Sequence, residues 1–261
     1  MKATNLWMRT TPFLLALLLG LLNWTAEPVS AQAESDGRLQ PYWMAATTPP
    51  DGQTLLRTLD TPNPQEGAGF GRSMAMGNVN GDGKADVAVG VPSEDVGGNA
   101  DQGRAYVFSG TSGSLLFTLN TPNPQAYASF GFSLAVGDVN DDGKADIAVG
   151  APGEDVGDNN SQGRVYVFSS ADGSLLFTLD TPNPQAGVTF GRSLAMGDVN
   201  GDGKGDIVVG APFAQVGDNY NQGRAYIFSG TDGSLLLTLD TPQPAGMGRI
   251  RLVAGSGERE R

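Results

Sequence analysis

The stretch Asp138-Val139-Asn140-Asp141-Asp142-Gly143-Lys144-Ala145-Asp146 decides how the rest of the chain is read. Oxygen-bearing side chains stand at its positions 1, 3, 5 and 9 (Asp138, Asn140, Asp142 and Asp146), with a glycine at position 6. Hard cations such as Ca2+ take about six to eight oxygens from carboxylates, amides, backbone carbonyls and water. Alternate residues of a tight loop turn inward, and the glycine allows the sharp bend beneath the ion. The carbonyl of Lys144, at position 7, is the expected backbone ligand. The same loop occurs sixty residues earlier, with Asn78, Asn80, Asp82, Lys84 and Asp86, and sixty later, with Asp198, Asn200, Asp202, Lys204 and Asp206. One Ca2+ per loop is the expectation. The rival is a set of metal-free Asx-turns between strands.

Working outward, the period of sixty holds from Asp60 through segments 60–119, 120–179 and 180–239. Each opens on Thr-Pro-Asn-Pro-Gln, as in Thr121 to Gln125. A first strand is expected to start at Phe70-Gly71, Phe130-Gly131 and Phe190-Gly191 and to run into the acidic loop. A second leaves the loop, as in Asp146 to Gly150, and is stopped by Pro92, Pro152 or Pro212. A third begins at Arg104, Arg164 or Arg224, and a fourth resembles Leu175 to Leu179. No helical periodicity is present. Alternation puts Val87 and Val89 on one face of the second strand, with Ala88 and Gly90 on the other, where small residues let a neighbouring sheet approach. Four short strands per repeat predict an all-β chain built of β-propeller blades, with a stacked β-solenoid as the weaker competitor. Leu55 to Leu59 is expected as an orphan strand that matches a blade's fourth, so that three full blades make an incomplete propeller.

Composition narrows the function classes. The chain has 261 residues, 38 Gly and 16 Pro, as turn-rich β-structure requires. It has no Cys and no His, which removes disulfides, thiol nucleophiles, the commonest general base and the usual zinc ligands. The net charge of −12 argues against nucleic acid as a partner, since binding it needs clustered Lys and Arg. Three divalent ions would halve that charge.

The two ends read differently. Lys2 and Arg9 make a positive region before the apolar run Phe13 to Leu22, and Ala31-Gln32-Ala33 offers a cleavage site with Val29-Ser30-Ala31 as its rival, so residues 1–33 are expected to be a secretory signal, with an uncleaved membrane anchor as the alternative. No later apolar run is long enough to span a membrane. Residues 34–50 read as a linker and 51–244 as the repeat region. Residues 245–261 fall out of register: the period requires Phe at 250, where Ile250 stands. Codon degeneracy lets the tail be read one nucleotide later as Phe-Gly-x-Ser-Leu-Ala-Val-Gly, so a frameshift is expected, with a genuine basic tail as the alternative.

Phe-Gly before the first strand, the acidic loop, and Gly150-Ala151-Pro152 and Gly210-Ala211-Pro212 after the second together resemble FG-GAP repeats, the blades of integrin α-subunit propellers. The first copy departs slightly, with Gly90-Val91-Pro92. The resemblance implies calcium at the loops and an extracellular role in adhesion or ligand binding. Position 12 of each loop is Val89, Val149 or Val209, which excludes the EF-hand and dockerin loops, both of which need a carboxylate there.

The function expected is therefore a secreted, calcium-binding, non-catalytic propeller module with an unidentified extracellular protein or glycan ligand. It could also self-associate through open blade edges. The alternatives are the non-catalytic part of a larger extracellular hydrolase, since the repeat occurs in phospholipase D-type enzymes, or a non-functional fragment of a longer repeat protein. Glu94-Asp95 and Glu154-Asp155 read as solvated loop charges, and the third copy replaces them with Ala214-Gln215. The repeated arginines read as blade packing or as partners of a nearby acid. Asn159-Asn160-Ser161 is a glycosylation sequon.

Overall fold

The structure, a computed structural model, describes residues 55–241. The expected signal 1–33, linker 34–50 and tail 245–261 lie outside these residues.

Twelve strands and no helix make up the described residues. The first repeat gives β1 (Ser73–Gly77), β2 (Asp86–Val91), β3 (Arg104–Phe108) and β4 (Leu115–Leu119). The second gives β5 (Ser133–Gly137), β6 (Asp146–Ala151), β7 (Arg164–Phe168) and β8 (Leu175–Leu179). The third gives β9 (Ser193–Gly197), β10 (Asp206–Ala211), β11 (Arg224–Phe228) and β12 (Leu235–Asp240). Each repeat is one four-stranded antiparallel sheet with its strands in chain order. A bulge recurs between the third and fourth strands, at Val107/Phe108, Val167/Phe168 and Ile227/Phe228. These are propeller blades, and the solenoid reading falls away.

The blades pack face to face by the alternation of the second strand. Ile147, Val149 and Ala151 of β6 enter one core with Ala88, Ala105 and Val107 of the first blade. Ala148, on the opposite face, enters the next core with Ile207, Val209 and Ala211 of β10. Each junction thus sets a bulky β-branched face against a small-residue face. The close approach makes the glycines necessary: a Cβ on Gly90 would lie 2.0 Å from the Gly131 carbonyl oxygen, and one on Gly150 2.1 Å from that of Gly191. The same carbonyls accept the hydroxyls of Ser73 (2.8 Å) and Ser133 (2.6 Å), so a hydrogen bond pins each junction.

Two expectations change in detail. Phe130-Gly131 precedes β5 instead of starting it. Phe130 is fully buried, 6.0 Å from both the Tyr166 and Phe168 rings, so it plugs its own blade from the turn before the strand. Leu55 to Leu59 is not a strand. A strand needs a hydrogen-bonded neighbour, and none is present for it among the described residues. Leu55 and Leu56 are exposed, Arg57 donates to the Thr111 and Ser112 carbonyls, and only Leu59 packs on a core, against the first blade.

Candidate metal loops

Each acidic loop joins the first strand of a blade to the second. Its glycine at position 6 sits in the left-handed region, with φ of 81°, 81° and 87° at Gly83, Gly143 and Gly203. A side chain there would be strained, so the sequence reading of the turn holds. Position 4 is left-handed as well. Gly81 and Gly201 take it freely, while in the second loop it falls to Asp141 (φ 61°), a feature the sequence did not flag.

The side chains at positions 1, 3 and 5 point into the loop and receive its amides. Asp138 Oδ1 accepts from the N–H groups of Asn140 (3.2 Å), Asp141 (2.7 Å) and Asp142 (3.3 Å), and its Oδ2 accepts from Gly143 (2.8 Å). Asn140 Oδ1 accepts from the Asp142 amide (2.9 Å), and Asp142 Oδ1 from the Lys144 amide (2.9 Å). The third loop repeats this with Asp198, Asn200 and Asp202. In the first loop, Asn78 Oδ1 takes only the Gly83 amide, at 3.3 Å. The Lys84 and Lys204 amides hold the exposed Asp82 and Asp202 carboxyls below the usual carboxylate range.

Position 9 does something else. Asp86, Asp146 and Asp206 are fully buried. Asp86 Oδ2 accepts from the Val79 and Asn80 amides (2.9 Å each), and its Oδ1 from the Gly110 amide (3.0 Å), across the turn between β3 and β4. Asp146 bridges Val139 (3.2 Å) and Ser170 (2.8 Å), and Asp206 bridges Val199, Asn200 and Gly230. Burial pushes the Asp146 carboxyl upward, and the Ser170 and Val139 amides oppose that shift. The position-9 carboxylate is a knot between two turns of one blade, a role the spacing alone did not reveal.

The donor set fits a hard divalent cation. Every group is an oxygen, the carboxylates at position 5 are exposed, and each keeps its second oxygen clear of the backbone. In the first and third loops that oxygen is met only by side-chain donors, Thr111 (3.0 Å) and Thr231 (3.3 Å) among them. Among the described residues, however, no three acidic side chains are drawn together on a common point. The loops of neighbouring blades do touch. The Ala145 amide donates to the Asn78 carbonyl (2.9 Å) and the Gly205 amide to the Asp138 carbonyl (2.6 Å), so the loops form a hydrogen-bonded row.

The opposite end of the second strand holds a site that the sequence misread. Glu94 and Glu154 are fully buried, not solvated. Glu154 receives Tyr166 OH on both oxygens (2.8 and 2.9 Å), Asn123 Nδ2 (3.0 Å) and Arg164 Nη1 (3.1 Å). Glu94 receives Tyr106, Asn63 and Arg104 in the same way. Burial pushes the Glu154 carboxyl up despite these donors, and burial and the Glu154 charge push the Tyr166 hydroxyl up as well. Burial works against the Arg164 charge, but the bond to Asp180 and the two acids keep it cationic. The repeated arginines thus pair with acids, as one of the two sequence readings held. The signal for the buried carboxylate was available: Glu, Arg and Tyr recur at offsets of ten and twelve in the first two copies and Glu is missing from the third. The sequon residue Asn159 already spends its amide on Gln162 Oε1 (2.9 Å).

The family model described as "FG-GAP repeat" matches residues 70–108, 130–168 and 190–228, one match per blade. The chain is 33% identical to integrin alpha-5 of Xenopus laevis over 187 residues, which covers 69% of this chain and 17% of that protein. It is 34% identical to mouse integrin alpha-8 over 175 residues, covering 64% of this chain and 15% of that one. It is 38% identical to mouse integrin alpha-IIb over 155 residues, covering 54% and 15%. The matched region is thus a small part of each relative's length. Among solved structures, a Bacillus licheniformis rhamnogalacturonan lyase overlaps 66% of this chain and 34% of its own at 15% identity, with a TM-score of 0.42, too loose a likeness to bear on function. By sequence and by architecture alike, the chain is an FG-GAP repeat protein of the integrin α type, with one repeat to each of its three blades.

Proposed function

We propose that this chain is a calcium-loaded, non-catalytic propeller module that binds an extracellular protein or glycan in an adhesion-type role. The observation that carries the reading is the row of three loops. Each presents carboxylate, amide and carbonyl oxygens at positions 1, 3, 5 and 7 around a left-handed glycine. Bound calcium supplies positive charge to a loop that otherwise gathers acids without a counter-ion. The protein's own part is to hold the loop open to an ion through its amides, and to fix the loop to the blade through the buried aspartate at position 9. Calcium in this role is structural. The matched integrins support the adhesion-type reading and a cell-surface or secreted location, and the leader-like residues 1–33 support export, where weak sites fill because calcium is abundant.

Two measurements test this. Calorimetry with Ca2+ is expected to show binding in the weak extracellular range, on the order of 10⁻⁴–10⁻³ M. Pull-down on arrays of matrix proteins and cell-surface glycans is expected to yield a ligand with calcium and to lose it with chelator. Absence of any calcium heat sinks the metal claim, and a ligand retained undiminished in chelator sinks its coupling to binding.

A further inference from the structure

The third blade keeps the receptors of the buried glutamate but not the glutamate. Ala214 stands where Glu94 and Glu154 stand, and it is 3% exposed, so its place in the fold is unchanged. The three donors that grip the carboxylate in the other blades are all present as Asn183, Arg224 and Tyr226. Their hydrogen bonding is not replaced by anything comparable. Tyr226 is fully buried, yet its hydroxyl finds only Thr181 Oγ1 and Asn183 Nδ2, each at 3.5 Å, against 2.8–3.0 Å contacts to the carboxylates in the sister blades. A buried hydroxyl left at that distance is poorly satisfied. Arg224 turns Nε (2.7 Å) and Nη2 (3.4 Å) to Asp240, and its Nη1, the atom that meets glutamate in the other two blades, makes no hydrogen bond among the described residues. Asn183 is exposed where Asn63 and Asn123 are only half-buried, which places one wall of the vacated position in contact with solvent. Gln215, the next residue, does not fill it: its side-chain amide donates to the Gly217 carbonyl at 2.8 Å.

We propose that the third blade carries a carboxylate-binding site formed by Arg224 Nη1, Tyr226 OH and Asn183 Nδ2, open to a short free carboxylic acid. The side chain that Ala214 lacks relative to glutamate, beyond Cβ, is a methylene and a carboxylate, which is acetate in all but one hydrogen. One cationic and two neutral donors converge on an acceptor with two oxygens, and such charge-assisted bonds are the strong ones. Acid size is limited because Tyr226 and Ala214 are buried, which leaves entry along Asn183. The site belongs to the 212–223 loop end of the blade, opposite the metal loops, and does not depend on calcium.

The test is acetate-dependent stability of the full chain at constant ionic strength, with chloride as the matching anion and benzoate as an oversized acid. The wild type is expected to show a rise in Tm with acetate, about 3–6 °C once acetate exceeds its dissociation constant roughly tenfold. Ala214→Glu restores the missing carboxylate and is expected to abolish the acetate response. Glu154→Ala opens the same position in the second blade and is expected to enlarge it. Should either variant fail to fold, line broadening of 13C-labelled acetate by the wild type and by Tyr226→Phe provides the second reading, with broadening expected in the first and reduced in the second. A rise that chloride or benzoate reproduces, or one that survives in Ala214→Glu, overturns the proposal, as does equal broadening by wild type and Tyr226→Phe.

Discussion

The two ends of β6 treat the same negative charge in opposite ways. At one end Glu154 is dry, held by a tyrosine, an asparagine and an arginine of its own blade. At the other end the half-buried Asp138 and the exposed Asp142 are turned toward loop amides, with no cationic side chain bonded to either among the described residues. The first arrangement is complete in the protein alone. The second gathers its charge on backbone amides, beside a single lysine in the loop. The lesson is that acid count does not locate function here, because the acids that look most alike in sequence have different partners. Asp146 stands between the two regimes: it belongs to the loop by spacing and to the interior by burial.

That contrast can be broken from either side. The largest effect is expected at the knot. Asp146→Ala strips an acceptor from two amides at once, Val139 and Ser170, and should cost about 3–4 kcal/mol in denaturant unfolding. A loss below about 1 kcal/mol would show that the bridge between the two turns is incidental. Next comes the dry carboxylate. Glu154→Ala leaves Tyr166 OH buried without its partner and should cost about 2–3 kcal/mol, whereas Ala214→Val, at the blade that already lacks the acid, should change stability by less than half as much. Equal costs at the two blades would erase the distinction drawn here.

At the wet end, calcium in place of chelator should raise the unfolding midpoint, and an unchanged midpoint would refute a structural ion. The three loops should differ. The first has Asn78 at position 1, which leaves Asp82 as its one carboxylate among positions 1, 3 and 5 against two in each of the others, so it should bind most weakly. Asn78→Asp should tighten it, helped by the amide cluster that Asp138 and Asp198 already gather in the other loops, and Asp198→Asn should loosen the third. Calorimetry that resolves three equal sites would reject this ordering. The smallest effect is on pH dependence. The Glu154 pKa is raised by burial in the folded chain, so its contribution favours folding below the unfolded value and is lost as pH rises from there toward the folded one. Stability of the wild type relative to Glu154→Gln should therefore fall as pH climbs above about 4.5, the ordinary value for this group. A difference that grows in the wild type's favour over that range would reverse the assignment.

The fold was legible in the sequence because the period was strict and the alternation clean. The Asp146 to Gly150 strand and the Arg164 to Phe168 strand appear as read, and the Ala88/Gly90 face meets the next blade as the small residues required. What failed did so for two physical reasons. Leu55 to Leu59 has the composition of a fourth strand, but composition cannot supply the neighbour that a strand needs. Glu94 and Glu154 sit in polar loop sequence, which suggests solvent. Their burial depends on Tyr106 and Tyr166, twelve residues on, so the loop's own composition does not report it and only the recurrence of that offset between copies does. The metal loops were legible as an oxygen set with a glycine turn. The buried role of position 9 was not, since ligand and structural carboxylates look identical until the amides around them are placed. The arginine–aromatic stack of Arg72 and Arg192, each 5.0 Å from the Phe132 ring, also crosses blade boundaries and left no trace in any single repeat.

The serine-to-carbonyl bond at each blade junction has a consequence for how such a chain changes over generations. Ser73 bonds Gly131 and Ser133 bonds Gly191, so at both junctions among the described residues the donor and acceptor stand in successive repeats and make the same bond. A duplication or deletion of sixty residues therefore preserves this serine-to-carbonyl bond at each boundary that survives. The gene can lengthen or shorten in whole blades while each surviving boundary keeps its own handshake. A change of any other length breaks the offset at once, which makes the repeat self-policing: recombination is forgiven by the blade and punished by the residue.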